Sequence, residues 1–362
     1  MSLKLVRGKT FPIGVDLGTS TVKLAQLRTE NDQLELVGAA SVEIPHPIRQ
    51  VPAKRHGFLV QAIRKILRAT PFRGRQCVLS LPADETVVQH VKIPQAPSDE
   101  VEPLLRRELE GKLPFPVDQA VIRHVVAGDA YGDGQSRQEV IVFCTSRAAL
   151  TAYLSTARRA KLDVIGVNVE SCAIVECFSR LFRRSSDTAR AILYIDMGAA
   201  STQVVFAHGR KMVFSRNLPI AGEQLDQAVA EAMGIPADRA HAIRTDLSQG
   251  RTDGPGEAEL HHMMDRPLDL LADEVTKCLR YYESVFRGNG VERAIFVGGG
   301  AYDKHLCQSL AQRLNLPAQI GDPLVRVQSV GGTDVGATMD RRQPHPDWAV
   351  AVGLSLGAGI AA

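Results

Sequence analysis

Several things are missing from this sequence. No stretch approaches the ~18 apolar residues that a membrane-crossing helix needs. The opening Met1-Ser2-Leu3-Lys4-Leu5-Val6-Arg7-Gly8 lacks the apolar core of a secretory leader. The six cysteines (Cys77, Cys144, Cys172, Cys177, Cys278, Cys307) form no CxxC pair and mostly lie in apolar runs such as Val142-Phe143-Cys144. They read as buried free thiols of a reducing compartment. Neither charge predominates: 43 Lys plus Arg against 40 Asp plus Glu leave a formal +3. That balance argues against nucleic acid or anionic lipid as the main partner. A cytoplasmic protein without direct membrane insertion is the expectation. The apolar run from Trp348 to Ala362 then reads as a buried closing helix.

The chain's 362 residues suit two lobes, and 44% hydrophobic with 23% charged residues is ordinary globular composition. Two segments, 180 residues apart, share one plan. Ile13-Gly14-Val15-Asp16-Leu17-Gly18-Thr19-Ser20-Thr21-Val22 and Leu193-Tyr194-Ile195-Asp196-Met197-Gly198-Ala199-Ala200-Ser201-Thr202 each run from an apolar strand through Asp-x-Gly and a small-residue turn into a second strand. Such turns suit phosphate: glycine admits close backbone approach, and successive N–H groups and hydroxyls supply donors. The strand-end aspartates Asp16 and Asp196 can hold Mg²⁺ through water, because that ion dehydrates reluctantly. Two turns of this kind facing one another would clamp a nucleotide triphosphate.

A third glycine cluster, Gly298-Gly299-Gly300, joins the apolar strand Arg293–Val297 to a helix with Leu306, Leu310 and Leu314 on one face. Bare backbone there could take an adenosine. The cluster breaks the dinucleotide pattern GxGxxG at its last position, and neither Gly8-Lys9-Thr10 nor Gly111-Lys112-Leu113 completes a P-loop. Further along, Asp99-x-x-Glu102 predicts a capping box on a helix from Asp99 to Leu113, stopped by Leu113-Pro114-Phe115-Pro116. The stretch 245–264 reads as a mobile loop, with His261 and His262 as surface residues.

Together these motifs resemble the phosphate-1, phosphate-2 and adenosine motifs of the actin, Hsp70 and sugar kinase superfamily. Within it the chain is most similar to the PilM family of type IV pilus assembly proteins, related to FtsA, and the similarity spans nearly the whole chain. It implies an α/β actin-like (ribonuclease H-like) fold of two lobes with an inserted small subdomain. The first lobe would be 1–187 with the insertion at 82–164, the second 188–330 with its small subdomain at 221–266, and 331–362 would return to the first. The implied cofactors are ATP and Mg²⁺. The implied binding residues are Asp16, Gly18, Thr19, Ser20, Lys23, Asp196, Gly198, Thr202, Arg244, Gly298, Gly299 and Gly300, with Asp16 and Asp196 holding Mg²⁺ through water. Lys23 stands where that superfamily often places a phosphate-contacting lysine. Glu170, at a predicted helix start, stands where an acidic or amide residue orders the attacking water; it equally suits a helix N-terminus as a dipole partner.

Two positions depart from the family pattern. Ala240-His241-Ala242-Ile243-Arg244 stands where members usually carry Ala-Glu-x-x-Lys, and Ala199-Ala200 replaces hydroxyl donors. Hydrolysis is accordingly expected to be slow or absent. The resemblance implies a cytoplasmic ATP-binding scaffold of a pilus or related secretion platform. It would sit peripheral to the inner membrane through the N-terminal cytoplasmic tail of a PilN-like single-pass protein, alongside other platform proteins. Two alternatives stand beside it: a small-molecule kinase with the same clamp, which would need a catalytic carboxylate beside a polar pocket, and an FtsA-like filament protein. The second would end in a basic amphipathic helix, whereas no basic residue follows Arg342.

Overall fold

A computed structural model describes residues 8–49, 51–132, 135–182, 191–248, 256–286, 290–329 and 342–357. The expected boundaries at 187–188 and 330–331, and residues 249–255 of the expected loop 245–264, lie outside the described residues. The chain divides into two compact units, Met1–Glu85 with Arg147–Arg180 and Asp322–Ala362, and Thr86–Ser146 with Leu181–Gly321.

The first unit is built on a seven-stranded sheet ordered Val327–Ser329, Gln33–Glu43, Thr21–Glu30, Ile13–Leu17, Gln76–Ser80 and Asp163–Asn168, with Lys9–Thr10 paired to Thr21–Glu30. Strand Ile13–Leu17 is buried throughout. Its odd members Ile13, Val15 and Leu17 join one core with Leu59 and Ile63 of helix Pro52–Ala69 and Tyr153 and Ala157 of helix Arg147–Arg159. With a side-chain period of two, Gly14 and Asp16 take the other face. There the closing helix Ala349–Leu356, buried through Ser355, lies on the strand. Two glycines make this seating possible. A Cβ at Gly14 would stand 2.0 Å from the Ala351 carbonyl oxygen, and one at Gly353 would stand 1.9 Å from that of Ala173 in helix Glu170–Ser179. Ser355 Oγ then donates to the Pro12 carbonyl (2.8 Å) and accepts from Leu27 N–H (3.1 Å), tying the helix across both strands of the first hairpin.

The second unit contains a five-stranded sheet ordered Lys211–Leu218, Thr202–His208, Ala191–Met197, Val291–Val297 and Ala318–Ile320. Its core takes Leu225 and Val229 from helix Gly222–Met233, Leu260, Leu271 and Val275 from helix Glu257–Val285, and Leu306, Leu310 and Leu314 from helix Lys304–Leu314. The same unit holds a three-stranded sheet, Val87–Pro94, Gln135–Ser146 and Ala120–Gly132, against which helix Ser98–Glu108 packs Val101 and Leu105. Inserted in sequence within the first unit's chain, this sheet packs with the second unit through a buried polar seam. Glu139 Oε1 accepts from His90 Nδ1 (3.0 Å) and from the Tyr281 hydroxyl (2.6 Å), while His90 Nε2 reaches the Ser215 carbonyl (3.1 Å). Helix Arg147–Arg159, which falls within the stretch 82–164, takes part in the core of the first unit, and strand Asp163–Asn168, which begins at the end of that stretch, pairs in its sheet.

Three local expectations are corrected. The Asp99–Leu113 helix spans Ser98–Glu108 with Pro97 at its N-cap and no capping box, because the Glu102 carboxylate pairs with Arg106 one turn on (2.7 Å). Of the expected loop 245–264, the described residues are mostly helical: one helix continues to Ser248 and another begins at Glu257. His261 is buried, stacked on His305 with ring centroids 3.8 Å apart, whereas His262 is exposed as expected.

Candidate functional site

In the first unit, the antiparallel register sets Asp16 directly opposite Lys23, so the two side chains share a face. The turn between them, Gly18-Thr19-Ser20, is half-buried. Asp16 is buried, and Ser80 Oγ on the neighbouring strand donates to its Oδ1 at 3.5 Å. Burial pushes the Asp16 carboxyl up to about 6, against the pull of the Lys23 ammonium. Lys23 Nζ lies 3.5 Å from Asp347 Oδ2. Beneath the turn, buried Arg55 donates from Nη2 to the carbonyls of Leu17 (3.3 Å) and Gly18 (3.0 Å), and its buried Nε has no hydrogen-bond partner among the described residues. A guanidinium thus anchors the turn from behind and adds positive potential there. Glu170 opens helix Glu170–Ser179 and is half-buried.

In the second unit, Asp196 ends its strand opposite Gln203. The turn closes through a Gly198 N–H to Ser201 carbonyl bond (3.1 Å). Its carbonyls at Gly198 and Ala199 receive the N–H groups of Gly222 (3.1 Å) and Glu223 (2.8 Å), so two of the orphan amides of helix Gly222–Met233 are spent on holding the turn. The turn Gly298-Gly299-Gly300 folds onto the same strand end. Gly298 has φ +82, and a Cβ there would meet Asp196 Oδ1 at 2.2 Å, while one at Gly300 would meet Met197 Cβ at 2.7 Å. Only bare backbone fits at Gly298. Gly299 is exposed, with nothing within 4 Å of a notional Cβ.

Gly198, Thr202, Arg244 and Gly300 converge around a hollow of about 20 Å³, the room of roughly one water. Thr202 and Arg244 support that hollow from within the fold. The Thr202 hydroxyl donates to the Ile220 carbonyl (2.6 Å). Arg244 Nη1 donates to the Gly222 carbonyl (3.0 Å) and pairs with Asp226. Sequence reasoning missed Asp226, which also accepts from His241 Nδ1 (2.9 Å). Burial would raise its pKa, but the hydrogen bond from His241 and the charge of Arg244 outweigh that and hold it below the usual range. The available signal was one acid among the buried apolar positions Leu225, Val229 and Ala230 of its helix. Arg55, Ser80 and Asp347 were also missed. Among the described residues, no cluster of three His, Cys, Asp or Glu could hold a metal by itself, and no helix is long and apolar enough to cross a membrane. A metal here would need oxygens from a ligand and water as well.

This arrangement has relatives among solved structures. A chain of a PilM–PilN type IV pilus biogenesis complex superposes with a TM-score of 0.78 at 21% identity, covering 96% of this chain and 98% of that one. The ethanolamine utilization protein EutJ of Carboxydothermus hydrogenoformans gives 0.56 at 15% identity, covering 96% and 89%. MreB5 of Spiroplasma citri bound to ADP gives 0.50 at 11% identity, covering 95% and 94%. The expected actin-like α/β fold is thus the one observed. The family model for type IV pilus assembly protein PilM matches residues 14–358. The chain belongs to the PilM family of type IV pilus assembly proteins.

Proposed function

We propose that this protein is an Mg²⁺-dependent ATP-binding scaffold of a type IV pilus assembly platform, held at the cytoplasmic side of the inner membrane by the N-terminal tail of a PilN-like single-pass protein. The observation that carries the nucleotide reading is the repeated hairpin, with an aspartate at the strand end and an accessible small-residue turn: Asp16 with Gly18-Thr19-Ser20, and Asp196 with Gly198. The donor set suits a triphosphate. Turn amides, the Thr19 and Ser20 hydroxyls and the Lys23 ammonium meet phosphate oxygens, while Asp16 and Asp196 accept from water bound to Mg²⁺. Neutralising phosphate charge is what that ion supplies when bound. The hollow beside Arg244 is too small for a nucleoside, so adenosine would lie on the outer face of Gly298-Gly299-Gly300, with Thr202 and Arg244 shaping its support. Glu170 is the candidate for ordering an attacking water. A scaffold needs a lasting ATP state more than cycling, so turnover is slow. Binding of Mg-ATP in calorimetry with steady-state hydrolysis well below about 1 s⁻¹ is the expected result; no binding, or turnover above that rate, contradicts the reading.

Recruitment by a tail is supported by the PilM–PilN relative and by one surface of the second unit. Leu113, Phe115 and Val117 line an open hollow flanked by Glu110 and Asp118, a surface suited to an extended apolar segment with a basic flank. Phe115→Asp is expected to abolish capture of the tail of this protein's PilN-like partner while leaving Mg-ATP binding unchanged. Undiminished capture would move the docking surface elsewhere.

A further inference from the structure

The closing segment brings an acid to the first hairpin. Asp347 lies on the single turn Pro346–Trp348, between two buried residues, and the Trp348 N–H donates to the His345 carbonyl (3.1 Å). The helix that follows is fixed on strand Ile13–Leu17 by the Gly14 notch. Asp347 is therefore placed by rigid neighbours, and its Oδ2 lies 3.5 Å from Lys23 Nζ with both side chains less than a fifth exposed. Asp16, opposite Lys23 in register, brings a second carboxyl to the same face of the hairpin. A 3.5 Å contact is longer than a well-made charge-assisted hydrogen bond of about 2.7–2.9 Å, so the pair holds the ammonium without locking it.

We propose that Asp347 is a built-in competitor for the phosphate at Lys23: it keeps the ammonium neutralised and oriented in the absence of nucleotide, and entering phosphate takes its place. The inference rests on the ATP-binding reading above. Its cost is affinity, and its benefit is order, since the ammonium is held in place on the hairpin face before phosphate arrives.

The test is calorimetric titration of ATP, with and without Mg²⁺, into the parent protein, Asp347→Asn, Lys23→Gln and the double variant, with thermal melts to confirm folding and Asp347→Ser as a second variant should the amide disturb the turn. The parent is expected to bind. Removing the Asp347 charge should tighten binding roughly threefold or more, on the scale of a partly exposed ion pair, and the gain should vanish when Lys23 is glutamine. Unchanged or weaker binding in Asp347→Asn overturns the proposal, and a loss seen only with Mg²⁺ assigns Asp347 to the ion's water shell instead. A gain that persists without Lys23 reflects general repulsion and also overturns it. If the parent binds no ATP, the nucleotide reading fails and this inference fails with it.

Discussion

Asp16 faces Lys23 across the first hairpin, whereas in the second hairpin Asp196 faces Gln203 at the corresponding place. The repeat is therefore alike in its acids and unlike in the residues set opposite them. Only the first aspartate has an ammonium directly across from it, and there Asp347 draws on the same ammonium.

The Asp16 carboxyl titrates near 6, above its value in an unfolded chain, chiefly through burial. Between about pH 4 and 6 the folded state thus holds a proton that the unfolded state has released, so this group's contribution to stability falls as pH rises through that window. Asp16→Asn should flatten that part of a denaturation-versus-pH profile. Mg²⁺-dependent ATP affinity should run the other way, strengthening as pH rises through 6 and the carboxylate forms. Affinity independent of pH between 5 and 7 would remove Asp16 from the ion's shell.

Arg55 supports the first turn through two carbonyls from a buried position. Arg55→Met removes charged donors and is expected to cost about 2–3 kcal/mol in urea unfolding, together with a loss of ATP affinity. A variant as stable as the parent would show that water replaces the guanidinium.

Gly298 and Gly299 are adjacent and should respond oppositely to alanine. At Gly298 a Cβ collides with Asp196 and φ is positive; at Gly299 there is open space. Gly298→Ala is expected to lose several kcal/mol and displace Asp196, whereas Gly299→Ala should stay within about 0.5 kcal/mol of the parent. Melting both variants side by side decides it, and equal effects would contradict the packing described.

What the sequence made legible was local. The strand, Asp-x-Gly turn and return strand of each hairpin are written in ten consecutive residues, and the leucine spacing of Leu306, Leu310 and Leu314 follows the helix repeat. The partners were not legible, because they come from afar. Arg55 looks like any basic residue beside Lys54, and Asp347 lies hundreds of positions from Lys23, at the edge of an apolar run. Helix limits failed where a side chain had a competing partner, as Glu102 has in Arg106. His261 looked solvated because it adjoins a second histidine, His262, yet the helical period turns it inward with Leu260 and Met264.

Glu139 joins the three-stranded sheet to the rest of the second unit. Burial would raise its pKa, but hydrogen bonds from His90 and Tyr281 outweigh this and hold the carboxyl below its ordinary value. Its contribution is present above the pKa of an unfolded glutamate and is lost as pH falls through the lower folded value. Glu139→Ala, which leaves His90 and Tyr281 without their acceptor, should cost about 3–5 kcal/mol at neutral pH and remove the corresponding part of the acid sensitivity. A loss below 1 kcal/mol would mean the seam contributes little.

Both hairpins are proposed to hold the triphosphate through Mg²⁺. The most direct measurement is calorimetric titration of ATP, with and without Mg²⁺, into the parent protein and into folded Asp16→Ala and Asp196→Ala. Mg²⁺-dependent binding is expected in the parent and its loss in each variant, a penalty of several kcal/mol for an ion no longer bridged to the protein. Parent-like Mg-ATP binding in both variants would contradict it.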